Sequence, residues 1–245
     1  MVGEGRISAY ATPKGEGQRN EDSHRVGRGL IAVSDGASVS YDSRRWARGL
    51  VAQYHRCPVF SKEWLDVAIR RFSRHFDRDA MPWMKQAAFD RGSFASLLGV
   101  QLQSNGDGAN IFAIGDSLAV LCDGDKILKT FPYTDAAQFD SRPQLLCSNP
   151  AENSFLDEGG DTSLTTSWSF DSLQNPVVLC VTDALGQWLL SYEGSDSPIG
   201  LLRGLNETAA FSHFIEKERL AGRMRRDDTT MVAIWDARNV VSTDR

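Results

Sequence analysis

Gly29-Leu-Ile-Ala-Val-Ser-Asp-Gly36 is a short, β-branched apolar run that stops abruptly at an acidic residue and a glycine. Bounded by turn formers, it predicts a buried strand ending at Asp35. The pattern returns twice. Val177-Val-Leu-Cys-Val181 runs into Thr182-Asp183, and Thr229-Thr-Met-Val-Ala-Ile-Trp235 follows Arg226-Asp227-Asp228. After the first strand, Asp42-Ser43 is an N-cap for a helix through Arg56, stopped before Pro58, with Trp46, Leu50, Val51 and Tyr54 at helical spacing. A second helix starts at Ser61 on a core face of Trp64, Leu65, Ala68, Ile69 and Phe72; Pro82 then restarts helix as far as Phe89.

From residue 96 the pattern turns to strands. Ser96–Leu102, Asn110–Ile114 and Leu118–Cys122 are separated by Asn-Gly, Gly-Asp and Asp-Gly turns, and Asp125–Thr130 continues the meander. Residues 131–165 predict mostly loop with a strand near Gln144–Leu146. Ser191–Gly204 predicts a mobile loop, and Glu207–Leu220 a helix with Phe211, Phe214 and Ile215 inward. Helices between strands followed by consecutive hairpins fit a layered α+β domain better than a Rossmann alternation, and neither GxGxxG nor a Walker A sequence occurs.

The 245 residues, 41% hydrophobic and 24% charged, suit one globular domain with a sizeable core. A formal charge of −5 disfavours a dedicated nucleic-acid binder. No run approaches the roughly 18 apolar residues of a membrane span. The N-terminal stretch has neither basic head nor apolar region, so no signal peptide is expected. Cys57, Cys122, Cys147 and Cys180 are dispersed and read as reduced thiols of a cytoplasmic protein. The four histidines form no HxH or HxxxH pair, which argues against a zinc hydrolase.

The chemistry lies in carboxylates at strand ends: Asp35, Asp183 and Asp227, with Glu21-Asp22 just ahead of the first strand pair. If these strands share a sheet edge, the carboxylates converge, and repulsion raises their pKa values unless a multivalent cation lies between them. Hard oxygen donors without a thiolate cluster favour Mg²⁺ or Mn²⁺. Two such ions roughly 4 Å apart can activate a water for in-line attack on a phosphoryl group. Equally, an Asp after a strand is commonly a turn former or helix cap.

Asn20-Glu-Asp22, Ala32-Val-Ser-Asp-Gly36, Gly92-Ser93, Ala113-Ile-Gly-Asp-Ser117, Val181-Thr-Asp-Ala184 and Arg226-Asp-Asp-Thr-Thr-Met-Val232 occur in the order found in the metal-dependent (type 2C, PPM) protein phosphatase family, which the chain resembles. The resemblance spans about residues 5–236 of a single phosphatase-like catalytic domain, 1–245. It implies a four-layer α-β-β-α sandwich, two antiparallel sheets between helix layers. By the same resemblance Asp35 bridges both Mn²⁺ or Mg²⁺ ions, the Gly36 carbonyl ligates one, and Asp183 and Asp227 ligate the other. Glu21 resembles the acidic ligand of the second ion, Asp22 orients metal-bound water, and Asp116 resembles the ligand of a weaker third ion. Asp116 also reads as a hairpin turn residue.

Several positions depart from the family pattern. Ala37-Ser38-Val39 follows Asp35-Gly36 where glycines are usual, Ala184 replaces a glycine, and Phe94 replaces a threonine. Gln187 replaces an acidic residue of the third site. The phosphate-binding arginine would fall at Gly17, leaving Arg19 as the nearest substitute or as an ordinary exposed arginine. Arg44, Arg45 and Arg48, like Arg223, Arg225 and Arg226, read either as partner-steering clusters or as solvated surface. The expectation is a metal-dependent serine/threonine phosphatase acting on phosphorylated proteins, partnered by a cognate kinase, without nucleic acid or membrane. The alternatives are a phosphatase-like binding or regulatory module of little turnover, and a hydrolase of small phosphorylated metabolites.

Overall fold

Val33, Val100, Ile111, Leu121, Val178 and Val232 meet in an almost fully dry seam between two sheets, and the chain is layered around it. The structure is a computed structural model that describes residues 5–27, 29–157 and 164–240. Expectations falling on 1–4, 28, 158–163 and 241–245 (the absence of a signal peptide, part of the 131–165 loop and the ends of the domain) lie outside the described residues.

In chain order the first half contains β1 (Arg6–Thr12), β2 (Ser23–Gly27), β3 (Leu30–Ser34), α1 (Ser43–Arg56), α2 (Lys62–Ser73) and α3 (Trp83–Arg91). Next come β4 (Phe94–Ala95), β5 (Leu97–Leu102), β6 (Gly108–Ile114), β7 (Leu118–Asp123), β8 (Lys126–Phe131) and β9 (Leu146–Cys147). The remainder is β10 (Thr165–Ser169), β11 (Pro176–Val181), α4 (Asp183–Leu190), α5 (Pro198–Arg203), α6 (Thr208–Leu220), β12 (Thr229–Trp235) and α7 (Ala237–Val240).

One sheet runs β1-β12-β11-β7-β8 and the other β10-β6-β5-β3-β2, with antiparallel pairing throughout. Alternate residues of β12 face opposite ways, as strand geometry requires. Val232 and Ile234 enter the inter-sheet seam, while Met231 and Ala233 pack with Trp188 of α4, Ile199 of α5 and Phe211 of α6. On the far side, Ala32, Leu97 and Phe112 meet Trp46, Leu50 and Tyr54 of α1 and Trp64 and Phe72 of α2. Helices, sheet, sheet, helices: this is the expected four-layer α+β sandwich. Burial on both faces explains why the central strands read as continuous apolar runs.

Local signals set the helix ends. Asp42 caps α1 in the left-handed region (φ 42°), its carboxylate accepting from Arg45 N–H, and Ser61 caps α2 by accepting from Trp64 N–H at 3.1 Å. Pro82 precedes α3, which buries no residue. Where the sequence predicts a mobile loop over Ser191–Gly204, the chain forms α5 at Pro198–Arg203. Ser197 caps it, Pro198 suits its first turn, and Ile199 and Leu202 are fully buried. Several strands were hidden, β1, β4 and β10 among them. The inward positions of β1 are Ser8, Tyr10 and Thr12, a polar-looking set, and β10 buries Trp168 alone.

Gly99 of β5 lets the two-layer contact close. A Cβ there would stand 2.1 Å from Cζ of Tyr54, itself buried in α1 and stacked on Phe112. Gly99→Ala is therefore expected to destabilise the fold by about 1–3 kcal/mol in urea denaturation. Adding Tyr54→Leu should recover part of that loss; a Gly99→Ala protein as stable as wild type would refute the contact.

Candidate active site

Strand register brings the acidic residues to one end of the sandwich. Val181 pairs with both Leu118 and Met231, so Asp183 after β11, Asp116 before β7 and Asp227 before β12 share one edge. In the other sheet Ser34 pairs with Ser23, which places Asp35 and Asp22 side by side. Asp22 crosses between sheets: its Oδ2 accepts from Thr182 Oγ1 at 3.2 Å, while its buried Oδ1 has no partner. The Asp35 N–H donates to Ser96 Oγ at 2.9 Å, and Ser96 Oγ meets Ser117 Oγ at 2.7 Å beside Asp116. Gly36 forms a β-bridge with Ala95, and a Cβ on it would stand 2.9 Å from the Glu21 carbonyl, so this approach needs glycine.

Charge is crowded here. Burial, then Asp22, Asp183, Asp116 and Asp227, hold the Asp35 carboxyl well above the usual range. Burial raises Asp22 similarly, with Asp228 and Asp183 adding to it. Asp183 is pushed up to about 7 by burial and Asp116, against the opposing pull of Arg225. Asp116 is raised by burial, partly offset by its own backbone and by Arg225.

Arg225 is the residue beside the cluster whose direction sequence left ambiguous. Its guanidinium pairs with the Asp183 carboxylate and lies over the Phe139 ring, 5.9 Å from the centroid. The neighbouring arginines turn outward: Arg223 pairs with Glu218 at 2.7 Å and Arg226 with Glu216 at 3.0 Å. No residue type separates these three in sequence; their directions come from the turn into β12.

Two more side chains frame the site. Asp228 is buried, and its two oxygens accept from the Lys14 N–H at 2.7 Å and the Glu21 N–H at 2.6 Å, pinning the segment between β1 and β2. Lys14 Nζ donates to Glu21 Oε2 at 3.0 Å and to Ser38 Oγ at 2.5 Å, and Ser43 Oγ donates to Glu21 Oε1 at 2.8 Å. Glu21 thus spends both oxygens on Lys14 and Ser43. Against the cost of its burial, bonds from Ser38, Lys14 and Ser43 lower its pKa. Arg19 is exposed and forms no ion pair among the described residues.

The structure therefore brings together Asp22, Asp35, Asp116, Asp183 and Asp227, and leaves Glu21 and Arg19 in other company. The donor set suits a hard divalent cation: it is all oxygen, crowded and mutually repelling, with one carboxylate oxygen unpartnered. Among the described residues no three His, Cys, Asp or Glu side chains are already arranged as a closed ligand group. No described helix is long and apolar enough to cross a membrane.

No protein-family model and no curated protein sequence matches the chain. Solved structures match over nearly its whole length. The catalytic domain of the serine/threonine protein phosphatase PstP, solved with two manganese ions, is 17% identical, covering 95% of this chain and 98% of its own at a TM-score of 0.56. The photosystem II phosphatase PBCP is 12% identical (94% and 98% covered, TM-score 0.58). PppA, described as a regulatory component of the type VI secretion system of Pseudomonas aeruginosa, is 17% identical (95% and 98%, TM-score 0.56). The likeness is one of fold, and it is the fold of the PPM-type phosphatases that the ordered motifs resemble.

Because Asp22, Asp35, Asp116 and Asp183 have raised pKa values when folded, the metal-free protein binds protons on folding. Their contribution is favourable at acid pH and is lost as pH rises through the folded values, about 7 for Asp183. Metal-free Asp35→Asn should then be more stable than wild type at pH 8 by about 1 kcal/mol or more, roughly 2–4 °C in Tm, with the gain shrinking towards pH 5. Thermal melts in chelator check this, and a destabilised variant at pH 8 would contradict it. Asp228→Ala, which strips two backbone N–H groups of a charged acceptor, should cost about 3 kcal/mol by denaturant titration.

Proposed function

We propose that this protein is a metal-dependent serine/threonine phosphatase that hydrolyses phosphoserine and phosphothreonine monoesters on proteins. The observation that carries the reading is the convergence of Asp22, Asp35, Asp116, Asp183 and Asp227 at one end of a sandwich of the phosphatase fold. The desolvation and mutual repulsion of Asp22, Asp35, Asp116 and Asp183 favour multivalent positive charge among them.

Asp35 would contribute to both sites of a pair of Mn²⁺ or Mg²⁺ ions, with the Gly36 carbonyl on one side and Asp183 and Asp227 on the other. Asp116 would serve a weaker third. When bound, such ions supply a water activated for in-line attack on phosphorus and neutralise the phosphoryl oxygens. The chain's own part is to hold and orient. Asp22, fixed by the Thr182 hydroxyl, keeps Oδ1 without a hydrogen-bond partner and would serve as an acceptor for a water's proton. Arg225 balances Asp183 and keeps its carboxylate directed. Lys14 places a protonated ammonium at the rim, where Glu21 and Ser38 hold it, and it is better fixed than Arg19 to meet a substrate phosphate. A kinase acting on the same proteins is the partner class such an activity implies.

A second reading has its own observation. Arg225 already pairs with Asp183, and Glu21 spends its oxygens on Lys14 and Ser43, as suits a phosphatase-like binding module of little turnover.

Phosphate release from a phosphothreonine peptide, after metal stripping and titration with Mn²⁺ and then Mg²⁺, separates the two. The phosphatase reading expects metal-dependent release that falls at least 100-fold in Asp35→Asn. No release in spite of calorimetrically bound metal would favour the binding module.

A further inference from the structure

The loop that leaves Asp35 does not return directly to solvent. Ala37 N–H donates to the Phe94 carbonyl at 2.9 Å, and Ser40 Oγ accepts from the Phe94 N–H at 3.0 Å, so the loop is stitched to β4. On the other side β4 pairs with β9, and the Ser93 N–H donates to Ser148 Oγ at 2.8 Å. Between the loop, the C-terminal end of α3 and residues 142–155 lies a cavity of about 630 Å³. Its walls are fixed by these backbone bonds, so the cavity is preformed.

Its lining has two characters. Val39, Phe94, Leu145 and Phe155 offer apolar surface, and Val39 is 99% exposed, an unusual placement for a β-branched apolar side chain with nothing against it. Met84, one helical turn before the lining residue Ala88, extends this surface along α3 and is 67% exposed. Arg91 and Arg142 project at the cavity with no ion pair to any described residue. Glu152 lines the cavity, while Asp42, also in the lining, is paired with Arg45. The unpaired charge of the cavity is thus net positive.

Ala37 belongs both to this lining and to the Asp35 loop. Two residues of chain span at most about 7 Å, so the cavity begins two or three residues' reach from the carboxylate cluster. We propose that this cavity is a recognition subsite for the segment flanking the phosphorylated residue, taking an apolar side chain next to an acidic one. The apolar side chain lies against Val39, Phe94 and Leu145, and the carboxylate is met by Arg91 and Arg142. This inference rests on the phosphatase reading for its substrate but not for its geometry. The cavity is distinct from the groups that would hold ions.

Two fluorescein-labelled phosphothreonine peptides test it, one carrying Leu-Glu and the other Ala-Lys two to three residues from the phosphothreonine, on each side in turn. Binding to chelator-treated protein is read by anisotropy. Wild type should bind the Leu-Glu peptide at least 10-fold more tightly, and Arg91→Ala/Arg142→Ala should abolish that preference. With Mn²⁺ the same preference should appear in KM, while p-nitrophenyl phosphate turnover stays as in wild type. Equal binding of the two peptides, or a preference that survives in the double variant, overturns the subsite. Failure to hydrolyse either p-nitrophenyl phosphate or peptide overturns the phosphatase reading, and the anisotropy result still decides the subsite.

Discussion

Carboxylates that repel one another at the end of a dry sandwich are what the rest of this molecule has to hold in place. Asp22, Asp35, Asp116 and Asp183 all stand above their ordinary pKa values, chiefly because burial penalises their charge. A chain free to relax would splay them into water. It cannot, because Asp35, Asp183 and Asp116 each lie within two residues of a strand whose side chains fill a close-packed core, at Val33, Val181 and Leu118, and Asp22 sits beside Asp35 through the pairing of β2 with β3. Hydrophobic packing over several strands therefore fixes an electrostatically unfavourable cluster, the condition under which functional strain persists in a fold.

Compensation is local and asymmetric. Asp183 receives the most: the Ala184 N–H at 2.5 Å, the Arg225 guanidinium, and a place in the first turn of α4, where the helix dipole favours negative charge. Asp22 has only the Thr230 and Thr182 hydroxyls to lower its pKa, and burial outweighs them. The adjacent aspartates of the turn into β12 have different fates. Asp227 faces the cluster, whereas Asp228 holds two backbone N–H groups of the segment carrying Lys14 and Glu21. Successive residues entering a strand point to opposite sides, so an acidic pair can serve chemistry with one member and structure with the other.

That division bears on what the sequence could reveal. The central strands, α1, α2 and α6 were legible because burial on one or both faces leaves continuous or helically spaced apolar residues. Strand β1 was not, because Ser8 and Thr12 occupy buried positions of the strand, and Ser8 takes a hydrogen bond from the indole N–H of Trp235 on its partner strand. The α5 helix was obscured by the Gly, Ser and Pro around it, although Ser197-Pro198 is a helix start in its own right. At the site, the aspartates were legible from strand-end position and motif order. The inward turn of Arg225, the anchoring by Asp228 and the sequestering of Glu21 were not, since each depends on a contact between segments far apart in sequence: 42 residues separate Arg225 from Asp183, and 207 separate Glu21 from Asp228.

Register is the remaining link between packing and site. Along β11, Val178 and Cys180 face the inter-sheet seam while Leu179 and Val181 face the helices, and β12 alternates in step. A slip of one residue between these strands would exchange the two sets and bury every apolar side chain on the wrong face. It would also move Asp227 one position, about 3.3 Å, away from Asp183. The cost of the first error protects against the second. The core thus specifies the site through parity: selection for two well-packed faces on β11 and β12 sets the relative positions of the carboxylates at their ends, with no contact between the carboxylates required to do so.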